Sequence, residues 1–329
     1  MPEIADIGPA VERNTTHVGV LPCDSYDEAQ LERKLIEGFE LFGGIGKYIG
    51  TGDKVFVKPN FLVVPRTPDD PAITHPALLY SLCKIIRDVG ARAVIGDSPA
   101  FGTVQKVLRK LGYEDRMKRL GVELIQLKKS VNIDRTINGE KKRFVISKDV
   151  LDSDFLINVP KLKVHCQLAM SLAIKNLFGC VPGKRKAWRH MSYGDRDNAF
   201  AHMIAETYIA VSPGFTILDA IISMERAGPR KGDPRTTGLL FLGEDCVAIE
   251  TVVLKILGVD PRTVPVYQAA VALGVGEKRL ERIKTLPLSL DEIGPRELVP
   301  SSKAPIRFSI PRVIRSVLKN LWISKIKKS

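Results

Sequence analysis

Seven basic side chains fall between Asn158 and His190, and no acidic residue lies among them. They are Lys161, Lys163, Lys175, Lys184, Arg185, Lys186 and Arg189, interleaved with apolar residues, glycine and proline. A solvated surface normally mixes both signs of charge, so a one-sided block laced with apolar residues points to the lining of an anion-binding pocket. The alternative is a basic surface loop. Lys161 and Lys163 are two apart and share a face in extended chain, and Pro160 stiffens the backbone before them. Paired ammonium groups suit a phosphate or a carboxylate. Lys175, Asn176, Lys184 and His190 extend the same set, and Lys163 and His165 are candidate catalytic groups, His165 as a proton carrier. His75 and His190 are, like His165, candidate proton carriers or metal ligands, against the reading that a lone histidine without a spacing signature is usually structural.

The elements around this block must position it. Lys54–Lys58 reads as a buried strand leading to Asn60. Pro76 opens a helix with Leu78, Leu79, Leu82, Ile85 and Ile86 on its apolar face. Ala93–Ile95 is the next strand and runs into Asp97 and Ser98. Phe155–Asn158 is another strand, and Phe215–Asp219 ends in a carboxylate. Strand, helix and strand in that order predict a parallel α/β sheet, in which ligands sit outside the carboxyl ends of the strands. Lys58, Asn60, Asp97, Ser98, Asn158, Lys161 and Asp219 would then converge on one rim. Asp97 is a candidate catalytic residue there, and Asp219 a candidate metal ligand. Asn138-Gly139 predicts a hairpin inserted between Val131–Ile137 and Arg143–Ile146. The run after Cys166 reads as helical, and the region from about Leu273 to Pro305 as polar and proline-dotted. The expected fold is α/β, with a mostly parallel central sheet, helices on both faces, the hairpin and a basic C-terminal helix.

The chain has 329 residues, 50 basic and 37 acidic, for a net charge of +13. The expected organisation is a flexible segment over 1–16, an α/β domain over 17–300 with two lobes meeting near 150–215 as a variant, and a basic tail over 301–329. That tail carries eight basic residues from Lys303 onward and no acidic one. Val313, Ile314, Val317, Leu318, Leu321, Trp322 and Ile326 form an apolar stripe within it, the pattern of an interfacial amphipathic helix or of a docked terminal helix. Aromatic residues make up 6% of the chain and do not interleave with the basic ones, which counts against nucleic acid as partner. Five cysteines, none in a C-x-x-C spacing, leave no iron–sulfur motif and no disulfide framework. A divalent metal is a candidate cofactor. The motifs of P-loop hydrolases, dinucleotide-binding folds and serine hydrolases are missing from the sequence. The amino terminus has no signal-peptide pattern, so the expected location is cytoplasmic, with peripheral contact at the inner membrane surface as a second option.

Taken together, Lys58-Pro59-Asn60, Thr74-His75-Pro76, Gly96-Asp97-Ser98-Pro99, the run from Asn158 to His165, and Lys175-Asn176-Leu177-Phe178-Gly179 resemble the domain of unknown function 362 family. Asp219-Ala220-Ile221 and Cys246-Val247-Ala248-Ile249-Glu250 extend the resemblance to about residues 50–275. It implies an α/β fold with a shared pocket. Many members carry a ferredoxin-type iron–sulfur domain, which this chain lacks, so an iron–sulfur protein is a candidate partner. The chain departs from the family pattern at Glu225-Arg226-Ala227, where a glutamate–glycine pair is usual. The functional expectation is an enzyme acting on a small anionic metabolite, a carboxylate or phosphate. Its rivals are a redox accessory protein working with iron–sulfur partners and a binder of anionic membrane or nucleic acid through the basic tail.

Overall fold

The computed structural model describes residues 15–67, 69–99, 102–182 and 198–301. Residues 1–14, Lys184, His190 and the tail from 302 onward lie outside the described residues.

The strands are β1 (Thr16–Pro22), β2 (Lys54–Pro59), β3 (Arg92–Asp97), β4 (Glu123–Gln126), β5 (Ser130–Ile137), β6 (Glu140–Ser147), β7 (Phe155–Val159), β8 (Lys161–His165), β9 (Ala169–Ser171), β10 (Phe215–Glu225), β11 (Asp233–Gly243) and β12 (Ile283–Pro287). Ten of them form one sheet in the order β12-β1-β11-β10-β7-β2-β3-β4, with β8 and β9 attached to β10. Pairing is parallel across β10-β7-β2-β3-β4, and antiparallel where β11 joins β1 and β10.

Alternation along the strands feeds two cores. Val55, Val57, Ala93 and Ile95 face one of them, with Leu31, Leu35 and Phe39 of helix α1 (Glu28–Glu40) and Leu78, Leu79 and Leu82 of helix α2 (Pro76–Asp88). Phe56 and Val94 face the other, with Ile204 of helix Ala199–Val211 and Val252 and Val253 of helix Cys246–Ile256. Period-two alternation in strands apolar on both faces is what a sheet covered on both sides requires. Helix α1 starts at Asp27, whose side chain accepts the Gln30 N–H at 2.8 Å. Helix α2 starts at His75, whose Nδ1 accepts from Ala77 N at 3.2 Å, with Pro76 as its first residue.

The hairpin β5–β6 forms a separate two-stranded sheet, and Asn138 and Gly139 both take positive φ, as a tight turn of this kind demands. Two stretches differ from the sequence expectation. The run after Cys166 is not a long helix: Ala169 takes φ of 57° and turns the chain back, so that Ala169–Ser171 pairs antiparallel with β8, and only Ala173–Asn176 is α-helical. The polar, proline-dotted region, for which no element is expected from the sequence, contains β12, which pairs parallel with β1, and the short helix Leu290–Ile293. Strand β10 is shared. Its first residues pair with β7 and later ones with β8, with Thr216 opposite Asn158 and Asp219 opposite Lys161.

Candidate functional site

Register places the strand ends side by side. Lys58 of β2 lies opposite Asn158 of β7, β3 runs parallel beside β2 and ends at Asp97, and Asp219 of β10 lies opposite Lys161 of β8. The sheet therefore carries a polar rim at the carboxyl ends of its central strands, where α/β folds place ligands.

The rim holds two buried ion pairs. Lys58 Nζ is 2.8 Å from Asp97 Oδ1, and both side chains are within 5% of full burial. Lys161 Nζ is 2.9 Å from Asp219 Oδ1, with side-chain exposures of 2% and 0%. A charge this deep is held by its partner and by further hydrogen bonds. Asp97 Oδ2 accepts from Phe61 N at 2.8 Å, and Oδ1 from Ser98 N at 2.7 Å. Asp219 Oδ2 accepts from His75 N at 3.0 Å, and Oδ1 from the Tyr26 hydroxyl at 2.8 Å. That hydroxyl in turn accepts from Lys161 Nζ at 2.6 Å. Burial, then Asp219, pushes the Tyr26 phenol well above its usual range, so it stays protonated and donates to the carboxylate. The Tyr26 ring stacks on His75 with centroids 3.7 Å apart and planes 12° apart. Burial holds the His75 imidazole down to about 4, so it is neutral at ordinary pH.

Lys163 is 1% exposed and has no carboxylate partner among the described residues. Its ammonium donates to Asn60 Oδ1 and to Ala72 O, both at 2.5 Å. Burial first, then Lys175 and Lys161, hold its pKa well below the usual lysine range. From Lys163 a chain of amides crosses the rim in one direction. Asn60 Nδ2 donates to Asn176 Oδ1 at 2.9 Å, Asn176 Nδ2 to Asn158 Oδ1 at 2.8 Å, and Asn158 Nδ2 to Ala173 O at 3.0 Å. Asn176 Nδ2 also donates to Lys58 O at 3.1 Å.

Lys175, one residue earlier, is partly buried and has no hydrogen-bond or ion-pair partner among the described residues. Burial lowers its pKa to about 8, opposed by Cys166 and helped by Lys58. Its helix is anchored at the start by Glu250, 1% exposed, whose Oε1 accepts from Ile174 N at 2.7 Å. Burial raises the Glu250 carboxyl to about 8. Four residues past Lys175, Gly179 lies against the Lys58–Asp97 pair: a Cβ there would come within 2.4 Å of Lys58 Nζ and 2.9 Å of Asp97 Oδ1.

The structure thus brings Lys58, Asn60, Asp97, Ser98, Lys161, Lys163, Asn176 and Asp219 to one rim, with Lys175 on the helix that carries Asn176. His165 ends β8, and its Nδ1 accepts from Gln167 N and Leu168 N at 3.2 Å each, which fixes the ring and leaves the proton on Nε2. Asp219, read from the sequence as a metal ligand, is engaged by Lys161, Tyr26 and the His75 N–H. Among the described residues no group of three or more His, Cys, Asp or Glu side chains is placed to hold a metal. Sequence reasoning missed Tyr26 as a rim residue. It precedes α1 in a stretch with no motif, and its partners Lys161 and Asp219 lie 135 and 193 residues away.

A mostly parallel α/β sheet with polar and charged side chains gathered at the carboxyl ends of its strands defines the class of this protein. The family described as Domain of unknown function (DUF362) matches residues 55–255, and the chain belongs to it. It is 38% identical over 317 residues to the thylakoid-associated protein sll1697 of Synechocystis sp. (strain ATCC 27184 / PCC 6803 / Kazusa), covering 94% of this chain and 96% of that protein. Among solved structures, the lactate racemase apoprotein from Thermoanaerobacterium thermosaccharolyticum matches with a TM-score of 0.41 and 15% identity over 71% of this chain, which spans 55% of the racemase chain. Among the described residues, no helix is long and apolar enough to cross a membrane.

Proposed function

We propose that the chain is an enzyme that binds a small carboxylate- or phosphate-bearing metabolite at the strand rim. The observation that carries this reading is the charge count at the rim. Asp97 and Asp219 match Lys58 and Lys161, while Lys163 and Lys175 have no carboxylate partner among the described residues. Two amines with depressed pKa values, Lys163 buried and Lys175 partly buried, form a site that an arriving anion completes, because the anion restores favourable pairing to their charged forms. In this reading Lys175 holds the anion, buried Lys163 adds positive potential behind it, Asp97 and Asp219 fix the neighbouring ammonium groups, Asn60 and Asn176 orient the amide row, and His165 carries a proton. The test is thermal unfolding in phosphate against chloride at matched ionic strength. A saturable rise in Tm with phosphate that is lost in Lys175→Ala supports the site. No rise, or an equal rise in the variant, ends the proposal.

A second reading concerns where the protein works. The tail's apolar stripe and eight basic residues suit the surface of an anionic bilayer, each basic residue contributing about 1 kcal/mol there, and the relative from Synechocystis is named for its thylakoid association. Binding to anionic but not neutral vesicles, weakened by salt and abolished by deletion after Ser309, supports peripheral attachment. Equal sedimentation of truncated and full-length chains refutes it.

A further inference from the structure

We propose that Lys175 is an imine-forming amine, condensing through Nζ with the carbonyl carbon of a small aldehyde or ketone that bears a carboxylate or phosphate. The inference rests on the anion-binding reading above and names the chemistry of that site.

The four rim lysines are not equivalent. Lys58, Lys161 and Lys163 are each 1% exposed and bound to protein acceptors. A substrate carbon cannot reach those nitrogens without dismantling the rim. Lys175 is the one of the four that is not fully buried, and no acceptor among the described residues holds its nitrogen. Its backbone is fixed on both sides. Ile174 N is held by Glu250 Oε1 at 2.7 Å, and the Asn176 amide makes three hydrogen bonds, with Asn60, Asn158 and Lys58 O. A nucleophile on a rigid segment beside cationic neighbours can meet an anionic substrate in a defined pose. With the pKa near 8, an appreciable fraction of the amine is unprotonated at neutral pH, as covalent amine catalysis requires.

The step balances without an oxidant. The nitrogen lone pair attacks the carbonyl carbon, the C=O π pair moves to oxygen, and a proton passes from nitrogen to oxygen to give a carbinolamine. The hydroxyl then takes up a proton, the nitrogen lone pair expels it as water to give the iminium, and release of the remaining N–H proton balances the proton taken up and gives the neutral imine. The cationic rim holds the substrate's anionic group throughout.

The test uses the full-length native protein, glyoxylate as probe and borohydride as trap, followed by peptide mapping. Urea-unfolded protein reports the background reactivity of surface lysines. The expected result is one saturating adduct per chain on Lys175, absent from Lys175→Arg. Its rate should fall at least ~10-fold between pH 8 and pH 6 as the free amine is protonated. Adducts spread over many lysines at the unfolded-protein rate, or a single adduct that persists in Lys175→Arg, overturn the proposal. The mapping is done on the wild-type chain, so it does not depend on the variant folding. Stabilisation by phosphate without an adduct removes the imine and leaves the anion site, whereas failure of both removes the underlying reading as well.

Discussion

Lys161 and Asp219 stand opposite one another on neighbouring parallel strands, with Nζ 2.9 Å from Oδ1 and almost no solvent at either group. The pair is bridged on one side by the Tyr26 hydroxyl and anchored on the other by the His75 N–H. Removing either charge leaves the other buried and unmatched.

Lys161→Met should therefore cost about 3–5 kcal/mol of stability, the usual range for breaking a buried pair. Adding Asp219→Asn should restore part of the loss, because a neutral amide leaves no unmatched charge: its oxygen can still accept from His75 N, and its Nδ2 can donate to the Tyr26 oxygen that Lys161 no longer occupies. Urea unfolding of the two single variants and the double variant checks this. Additive losses would mean the two residues do not act as a pair.

Gly179→Ala should destabilise by about 1–3 kcal/mol through overpacking. The new methyl group would meet Lys58 Cε and Nζ at 2.4 Å, and that side chain is buried and paired, so it has little room to move. The same substitution should weaken stabilisation by phosphate, and melting curves with and without phosphate read both effects. An unchanged Tm would show that Lys58 has slack which its burial does not reveal.

His75 supplies a pH dependence. Its pKa is about 4 in the fold against 6.5 for a free side chain. Between those values the unfolded chain binds more protons than the folded one, so stability is complete above about pH 6.5 and falls as pH drops toward about 4. The loss is on the order of 3 kcal/mol at 1.36 kcal/mol per unit. His75→Gln should flatten the slope of unfolding free energy against pH in that window. A variant with the wild-type slope would assign the effect to other groups.

Anion binding should draw protons from solution. An anion beside Lys175 favours its ammonium form and raises a pKa that stands at about 8. At pH 8 that group alone would take up as much as about half a proton per bound anion. Calorimetric titration with phosphate in buffers of different ionisation enthalpy measures the uptake. Proton release, or none, would remove Lys175 from the anion's surroundings.

Much of the rim was legible because each strand carries its own polar ending. Lys58, Asp97, Asn158 and Asp219 can each be read at the carboxyl end of an apolar run, and parallel topology then brings them together. What spacing does not show is which counter-charge crosses to which strand. Lys161 and Lys163 look alike in sequence, yet one meets Asp219 and the other a backbone carbonyl and Asn60. The β8–β9 turn was hidden because its positive-φ residue is Ala169 and not glycine or asparagine. Strand β12 was hidden because I-K-T-L-P is short, lies in a proline-dotted region and ends in proline, and it forms by pairing with β1.

The two halves of the rim differ in how far apart their members lie along the chain. Lys58 and Asp97 end consecutive paired strands, joined through one helix. Tyr26 must wait for a lysine 135 residues on and an aspartate 193 residues on. Closing loops of that size costs chain entropy before any contact offsets it, so contacts of such high order form late. During synthesis the Lys58 half can assemble once β3 has emerged. A nascent chain halted before β10 holds Tyr26 and Lys161 without the carboxylate they share, and the Tyr26 half of the rim is completed only when β10 arrives.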